Sequence, residues 1–471
     1  MYPAEEEFPS ALGAASRHVS KFLDTLGSRP PAVPYWPAGS VRLEEDGIGA
    51  EAAVHRLWQR FGSHFSGSSG SRYWGYVHGG VTPAAISADW ICSAVDQTGQ
   101  MHGDSPAATI EAETIAMLRD LLELPDAFHG MFVSGGSMAN YCGLAIGVQR
   151  LGLERGVDVS REGVAALPGL RILTGECHAS TPRAAGMLGL GRNAVERLAL
   201  EPGRERVSIA ALRARLEAMP STPTIIVANA GTVAIGDFDD VGAIADLSET
   251  NGAHLHVDGA FGLFARLSPG LAGLSAGLER ADTIASDAHK WLNVPYDSGL
   301  LFSRHLDAQN GMFKNESSYL PPPATDPLNF PNLGPENSRR LRALPAWASL
   351  MAYGRSGHRA LVERSVALAS ALAERLDGDA GFALLAHPWL NIVCFAPTSD
   401  RGRFSQSGVK RFVEALIADG RVRVSSAVLD GQPCVRLAIL NWRTAPSDLD
   451  IAMAAFQDCR ARVIGELQGD E

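Results

Sequence analysis

The stretch that decides how this chain is read runs from Ala253 to Trp291. It opens A-H-L-H-V-D-G-A-F-G and closes, after a loop and helix, on A-D-T-I-A-S-D-A-H-K-W. Leu255 to Val257 reads as a short buried strand, and it ends in the carboxylate of Asp258. Lys290 directly follows His289 and is the only lysine of the stretch. An acid at a strand end and a lysine on the next loop meet two electrostatic needs. The acid can keep a ring nitrogen protonated, so that the ring draws electrons. The amine can condense with an aldehyde once its proton has left. Pyridoxal phosphate is a cofactor with both needs.

Taken alone, each residue also reads as an ordinary cap or loop. The flanking sequence decides between the readings. Upstream, M-F-V-S-G-G-S-M-A-N-Y (131–141) predicts a strand, a glycine turn and a helix over Met138–Arg150. Such a turn brings backbone N–H groups to an anion, with Ser137 adding a hydroxyl. Strands are predicted at Arg171–Thr174, Thr224–Asn229, T-I-A-S after Ala281 and Gly299–Ser303, with helices between, one of them over Ser208–Met219. That alternation predicts a mostly parallel sheet covered on both faces, with ligands at the carboxyl ends of its strands. Ser134–Ser137, His178, Thr232, Asp258 and Lys290 all fall at or just after such ends.

Further out, the chain divides into three expected parts. Residues 1–85 form a helical arm, with amphipathic stretches at Ser10–Leu26 and Ala50–Phe61 and too little core to stand alone; it is expected to pack on a second subunit. Residues 86–345 form the large domain. It includes a helix over Ala107–Leu124 and a long proline-rich segment, 311–337, that holds Tyr319. Residues 346–471 form a smaller C-terminal α/β domain after helices at Ala343–Gly357 and Arg359–Leu376. The aromatic loop Y-W-G-Y-V-H-G-G (73–80) is read as either a pocket lining or a packing plug.

Composition narrows the class. A chain of 471 residues with 46% hydrophobic and 20% charged residues is globular. A net charge of −11 disfavours nucleic acid and anionic membrane as partners. The six cysteines are scattered without a C-x-x-C pair, as in a cytoplasmic protein with no disulfide framework or metal cluster of cysteines. No secretory signal pattern or bilayer-length apolar run is present.

With these residues assembled, the chain resembles the pyridoxal-phosphate-dependent group II amino-acid decarboxylases, the family that includes the aromatic L-amino-acid decarboxylases. The resemblance runs from about Tyr73 to Thr444. It is carried in order by Y-W-G-Y, S-P-A-A-T-I-E, S-G-G-S-M-A-N, H-A-S, N-A-G-T-V-A-I-G-D-F-D, H-V-D-G-A-F-G, D-A-H-K-W-L, S-Y-L, S-R-R-x-R-A-L and R-L-A-I-L-N-W-R-T. It implies a fold-type I α/β architecture with a mostly parallel, seven-stranded sheet, and a homodimer. It implies decarboxylation of an L-amino acid to an amine and CO2. An aldehyde-forming oxidative enzyme or an aminotransferase on the same scaffold is the alternative.

The resemblance also assigns residues. Lys290 would form the Schiff base and Asp258 would pair with the pyridine nitrogen. Ala260 and His178 would cover the two faces of the ring, and Thr232 would sit near its 3′-oxygen or Asp258. Gly136, Ser137 and His289 would hold the phosphate. Tyr319 would deliver the proton to Cα. Trp74, Tyr76, His78, His102 and Asp104 are the candidates for the substrate pocket. Two departures stand out. Gly259 gives D-G-A where the family often has alanine. Asp287 is an odd neighbour for a phosphate, so it is expected to bond backbone or His289.

Overall fold

The computed structural model describes residues 4–37, 39–40, 42–98, 105–315 and 329–469. His102, Asp104 and Tyr319 lie outside them. The chain divides into two compact units. One comprises Gly79–Ser370 and Ala386–Ile392; the other comprises Met1–His78, Ala371–Leu385 and Val393–Glu471. The N-terminal residues thus group with the C-terminal ones, and the divisions fall at 78 and near 370, whereas the sequence reading divided the chain at 85 and 345.

The larger unit is built on a seven-stranded sheet. Its strands are β1 (His129–Val133), β2 (Arg171–Thr174), β3 (Val195–Arg197), β4 (Thr224–Asn229), β5 (His254–Asp258), β6 (Thr283–Asp287) and β7 (Gly299–Ser303), in the spatial order β1-β7-β6-β5-β4-β2-β3. Strand β7 runs antiparallel to both its neighbours, and every other pairing is parallel. Strands β4 to β7 are buried at every residue, as the near-continuous apolar runs of a doubly covered sheet require. The short strand β3 has only partly buried and exposed residues. It carries no apolar run and was not predicted.

The helix Gly136–Leu153 covers β5 and β6 closely. Asn140, Gly143, Gly147 and Arg150 recur at helical spacing and form one stripe along it. Opposite them, Asp258, His256 and His254 recur at strand spacing. Glycine is needed at the two middle positions. A Cβ on Gly143 would lie 2.4 Å from the His256 ring, and one on Gly147 would lie 2.7 Å from His254. Two buried histidines therefore fit under the helix only because it lacks side chains there.

Helix ends follow local chemistry. Asp240 and Ser208 accept hydrogen bonds from Ala243 N and Ala211 N, which sets the starts of Val241–Asn251 and Ile209–Glu217. The two helices predicted around Gly357 form a run from Ala343 to Asp377 that is interrupted instead at Gly354, where φ is 58°.

In the second unit, β8 (Phe382–Leu384) and β10 (Gly402–Arg403) pair antiparallel with β9 (Ile392–Ser399), and β11 (Ser425–Leu429) pairs antiparallel with β12 (Gln432–Ala438). Phe382, Phe395, Phe412 and Phe456 pack into one aromatic core, with centroids 5.2–6.5 Å apart. The N-terminal helices Phe8–Asp24 and Ala50–Phe61 meet through His18, stacked on Trp58 at 4.9 Å. Phe8 and Leu12 remain well exposed. Among the described residues, no helix is long and apolar enough to cross a membrane. All six cysteines are buried, and none is in a disulfide.

Candidate active site

The carboxyl ends of five strands bring the predicted residues to one rim. Strands β1, β2, β4, β5 and β6 end at Val133, Thr174, Asn229, Asp258 and Asp287. Gly136, His178, Thr232, Asp258 and Lys290 lie on these ends or within four residues of them.

Asp258 is buried and doubly held. Asn140 Nδ2 donates to its Oδ2 at 2.8 Å, and Ala260 N donates to its Oδ1 at 3.1 Å. Asn140 spends its second amide hydrogen on Ser180 Oγ at 2.9 Å. Ser180 Oγ lies 2.7 Å from His178 Nδ1, and Ser180 N donates to the same nitrogen at 3.3 Å. Nδ1 is thus an acceptor, and the neutral His178 ring carries its hydrogen on Nε2. Burial holds this imidazole below its usual range; Asp258 and Asp287 pull the other way, while Lys290 adds to the lowering. One ring therefore feels the acid of β5 and the lysine after β6.

Lys290 Nζ lies 2.9 Å from Asp287 Oδ2. Asp287 Oδ1 accepts Gly136 N at 2.6 Å and stands 3.5 Å from His289 Nε2. Of the two expected partners, backbone or His289, Asp287 hydrogen-bonds the backbone and lies at ion-pair distance from His289. Burial alone would raise its carboxyl, but Lys290, His289 and the Gly136 N–H outweigh burial and hold it below the usual carboxylate range. A Cβ on Gly136 would lie 2.6 Å from Asp287 Oδ2, so only glycine permits this approach.

Other predicted residues have the following partners. The Thr232 hydroxyl bonds the Glu205 carboxylate and accepts Asp237 N at 3.0 Å, so it is engaged in an acidic network beside the rim. Trp74 is fully buried in the second unit, its indole N–H donating to Ser71 O at 2.8 Å, which is the packing-plug alternative for that residue. Tyr76 is exposed there with φ 58°, and His78 meets Tyr73 edge-on at 5.5 Å. Sequence reasoning passed over Asn140, Ser180 and His256. The available signal was Asn140 one turn beyond Gly136, and His256 two residues before Asp258 on the same strand face.

A strand-end acid, a lysine held by a second acid, and an imidazole between them, on the carboxyl rim of a mostly parallel sheet, define a pyridoxal-phosphate enzyme of fold type I. The chain belongs to the pyridoxal-dependent decarboxylase family, whose conserved domain matches residues 68–397. It is a carboxy-lyase that acts on an amino acid. It is 30% identical to L-2,4-diaminobutyrate decarboxylase of Rhizobium meliloti, over 86% of this chain and 81% of that protein. It is 27% identical to aromatic-L-amino-acid decarboxylase of Bacillus atrophaeus, over 86% of this chain and 85% of the relative. Its fold matches the crystal structure of Oryza sativa TDC with PLP and tryptamine at a TM-score of 0.88, covering 98% of this chain and 99% of the other at 20% identity.

The residues present fit the cofactor. His289 Nδ1 is buried without a hydrogen-bond partner among the described residues. The helix Gly136–Leu153 begins without a side-chain cap, at Gly135, and Ser137 is exposed in its first turn. An orphaned ring nitrogen, an uncapped helix start and a free hydroxyl form an acceptable phosphate cradle.

Proposed function

We propose that Lys290 anchors pyridoxal phosphate covalently and that Asp258 holds its ring nitrogen, for decarboxylation of an L-amino acid to its amine. One observation carries this reading: Asn140 bonds both Asp258, which closes β5, and Ser180, which bonds His178, on the rim where Lys290 follows β6. Bound there, the cofactor supplies an electron sink for the pair released as CO2 departs. Asn140 and Ala260 N fix the Asp258 carboxylate, so its charge would be preorganised toward the ring nitrogen. Asp287 Oδ2, 2.9 Å from Lys290 Nζ, positions that nitrogen at the rim. Gly136, Ser137 and His289 would hold the phosphate, and Ala260 would pack against one face of the ring. His178, with its hydrogen on Nε2, presents a donor toward the substrate side. Thr232 buttresses the rim through Glu205 and Asp237. Trp74, Tyr76 and His78 are kept as substrate-loop candidates, and Tyr319 as the proton donor to Cα on the strength of its S-Y-L motif.

The protein works as a cytoplasmic homodimer in this proposal, with no nucleic-acid partner. Phe8 (65% exposed) and Leu12 (63%) on one N-terminal helix supply apolar surface for a second subunit. The reading is tested by incubating cofactor-loaded protein with each standard amino acid and a few non-standard ones, and measuring CO2 and amine. CO2 from none of them, or full activity in Lys290→Ala, would overturn it.

A further inference from the structure

Asp258 is one end of a buried hydrogen-bond chain whose other end serves no purpose in decarboxylation. The direction of every link can be assigned. A carboxylate only accepts, so Asn140 must turn its nitrogen to Asp258, and its Oδ1 is left to accept from His256 Nε2 at 2.8 Å. His256 is fully buried and stays neutral, so its Nδ1 is an acceptor. Thr283 Oγ1, at 2.9 Å, gives its one hydrogen to that nitrogen. The same oxygen must then accept from His254 Nε2, at 3.0 Å. His254 is also fully buried, so its Nδ1 carries a lone pair.

That lone pair has no hydrogen-bond partner among the described residues. It faces Asp282 Oδ2 at 3.8 Å, one acceptor against another. Asp282 Oδ1 is 2.6 Å from His305 Nε2. Ligand atoms of all three side chains lie within 4.8 Å of one another. The cluster sits where β5 begins, just before β6 and just after β7. This is the edge of the sheet opposite the cofactor rim. The Asp282 and His305 side chains are 18% and 27% exposed, so an ion can enter from solvent.

We propose that His254, Asp282 and His305 bind one divalent transition-metal ion of the zinc class. Two imidazole nitrogens and one carboxylate oxygen are the donor set such ions take, with a fourth position for water. Magnesium and calcium, which require mostly oxygen ligands, do not fit it. The carboxylate is steadied from behind by Leu255 N at 2.7 Å and Arg150 Nη1 at 3.1 Å, both on Oδ2. Arg150 opposes a cation electrostatically, which further restricts the site to ions that bond imidazole strongly. On binding, the ion replaces the proton on His305 Nε2, which passes to solvent.

The test titrates Zn2+ alone into untagged, chelator-treated holoenzyme by calorimetry, with Co2+ as a spectroscopic probe. Wild type is expected to take up one more ion per chain than His305→Ala, and to show cobalt d–d absorption that the variant lacks. Asp282→Asn is expected to bind at least about tenfold more weakly. Added Zn2+ should raise the melting temperature of wild type and leave His305→Ala unchanged. If His305→Ala does not fold, His305→Gln, which keeps a hydrogen bond to Asp282, should show the same loss. No stoichiometric uptake by wild type, or equal uptake by the folded His305 variant, would overturn the proposal and leave a water molecule donating to His254 Nδ1. The comparison with His305 variants also separates this site from the half-buried His18–His55 pair.

Discussion

Asn140 places its amide nitrogen 2.8 Å from Asp258 Oδ2 and 2.9 Å from Ser180 Oγ, so one side chain orients both the Asp258 carboxylate and, through Ser180, the imidazole of His178. Replacing Asn140 with alanine removes both donors and strands the His256 Nε2–H. We expect Asn140→Ala to lower stability by about 1–3 kcal/mol and to reduce turnover. Thermal unfolding and kcat per bound cofactor check this. An unchanged kcat would mean that Asn140 is a packing residue only.

Asp258→Ala should separate cofactor retention from catalysis. Lys290, His289 and the start of the Gly136–Leu153 helix remain to hold the cofactor, while the ring loses the charge that makes it a sink. Turnover per bound cofactor should fall by about 10²-fold or more. Wild-type rates in this variant would contradict the role given to Asp258.

Arg339 and Glu111 form an ion pair with both side chains fully buried, bonded at 2.7 Å and 3.0 Å. Glu111 also accepts Phe132 N at 2.8 Å on β1. Arg339→Ala leaves a buried charge unpaired and should cost about 3–5 kcal/mol. The double variant Glu111→Leu/Arg339→Met should recover most of that loss. Denaturant midpoints for the three proteins decide the matter.

Acid should weaken the fold through His129. Burial pushes this imidazole from 6.5 down to about 4, against the pull of Gln309, whose Oε1 lies 3.0 Å away; His305 adds to the lowering. Between those values the unfolded chain binds a proton that the folded chain refuses. The stability is therefore complete above pH 6.5 and is lost as pH falls toward 4, by up to roughly 1.4 kcal/mol per pH unit. Comparing unfolding midpoints at pH 7 and pH 5 should show a smaller drop in His129→Gln. Equal drops would clear His129 of the effect.

Tyr319→Phe removes the proton donor inferred from the S-Y-L motif. Product should shift from amine toward aldehyde, with dioxygen and water consumed and ammonia and peroxide released beside CO2; the ratio of amine to aldehyde measures it. A constant ratio would take Tyr319 out of the mechanism.

Much of the fold was legible because its signals are local. A run of buried apolar residues marks a strand wherever it occurs, and β2, β4 and β7 begin and end where the sequence placed them. The positions of Asp258 and Lys290 were legible for a related reason: Asp258 closes one such run and Lys290 follows another by three residues. The order β1-β7-β6-β5-β4-β2-β3, with β7 reversed, was not readable, because pairing depends on partners distant in the chain.

The sequence by itself therefore determined most of the strands, the rim on which they end, and the family to which the chain belongs. Only the tertiary structure decided who orients them. Asn140 and Asp258 are 118 residues apart, and no periodicity links a helix residue to a strand end. It also decided that the Trp74 indole is buried core, that Thr232 bonds Glu205, and that His254 keeps a lone pair aimed at Asp282. A hydrogen bond is directional and short, so its partners become known only when the chain has closed the distance between them.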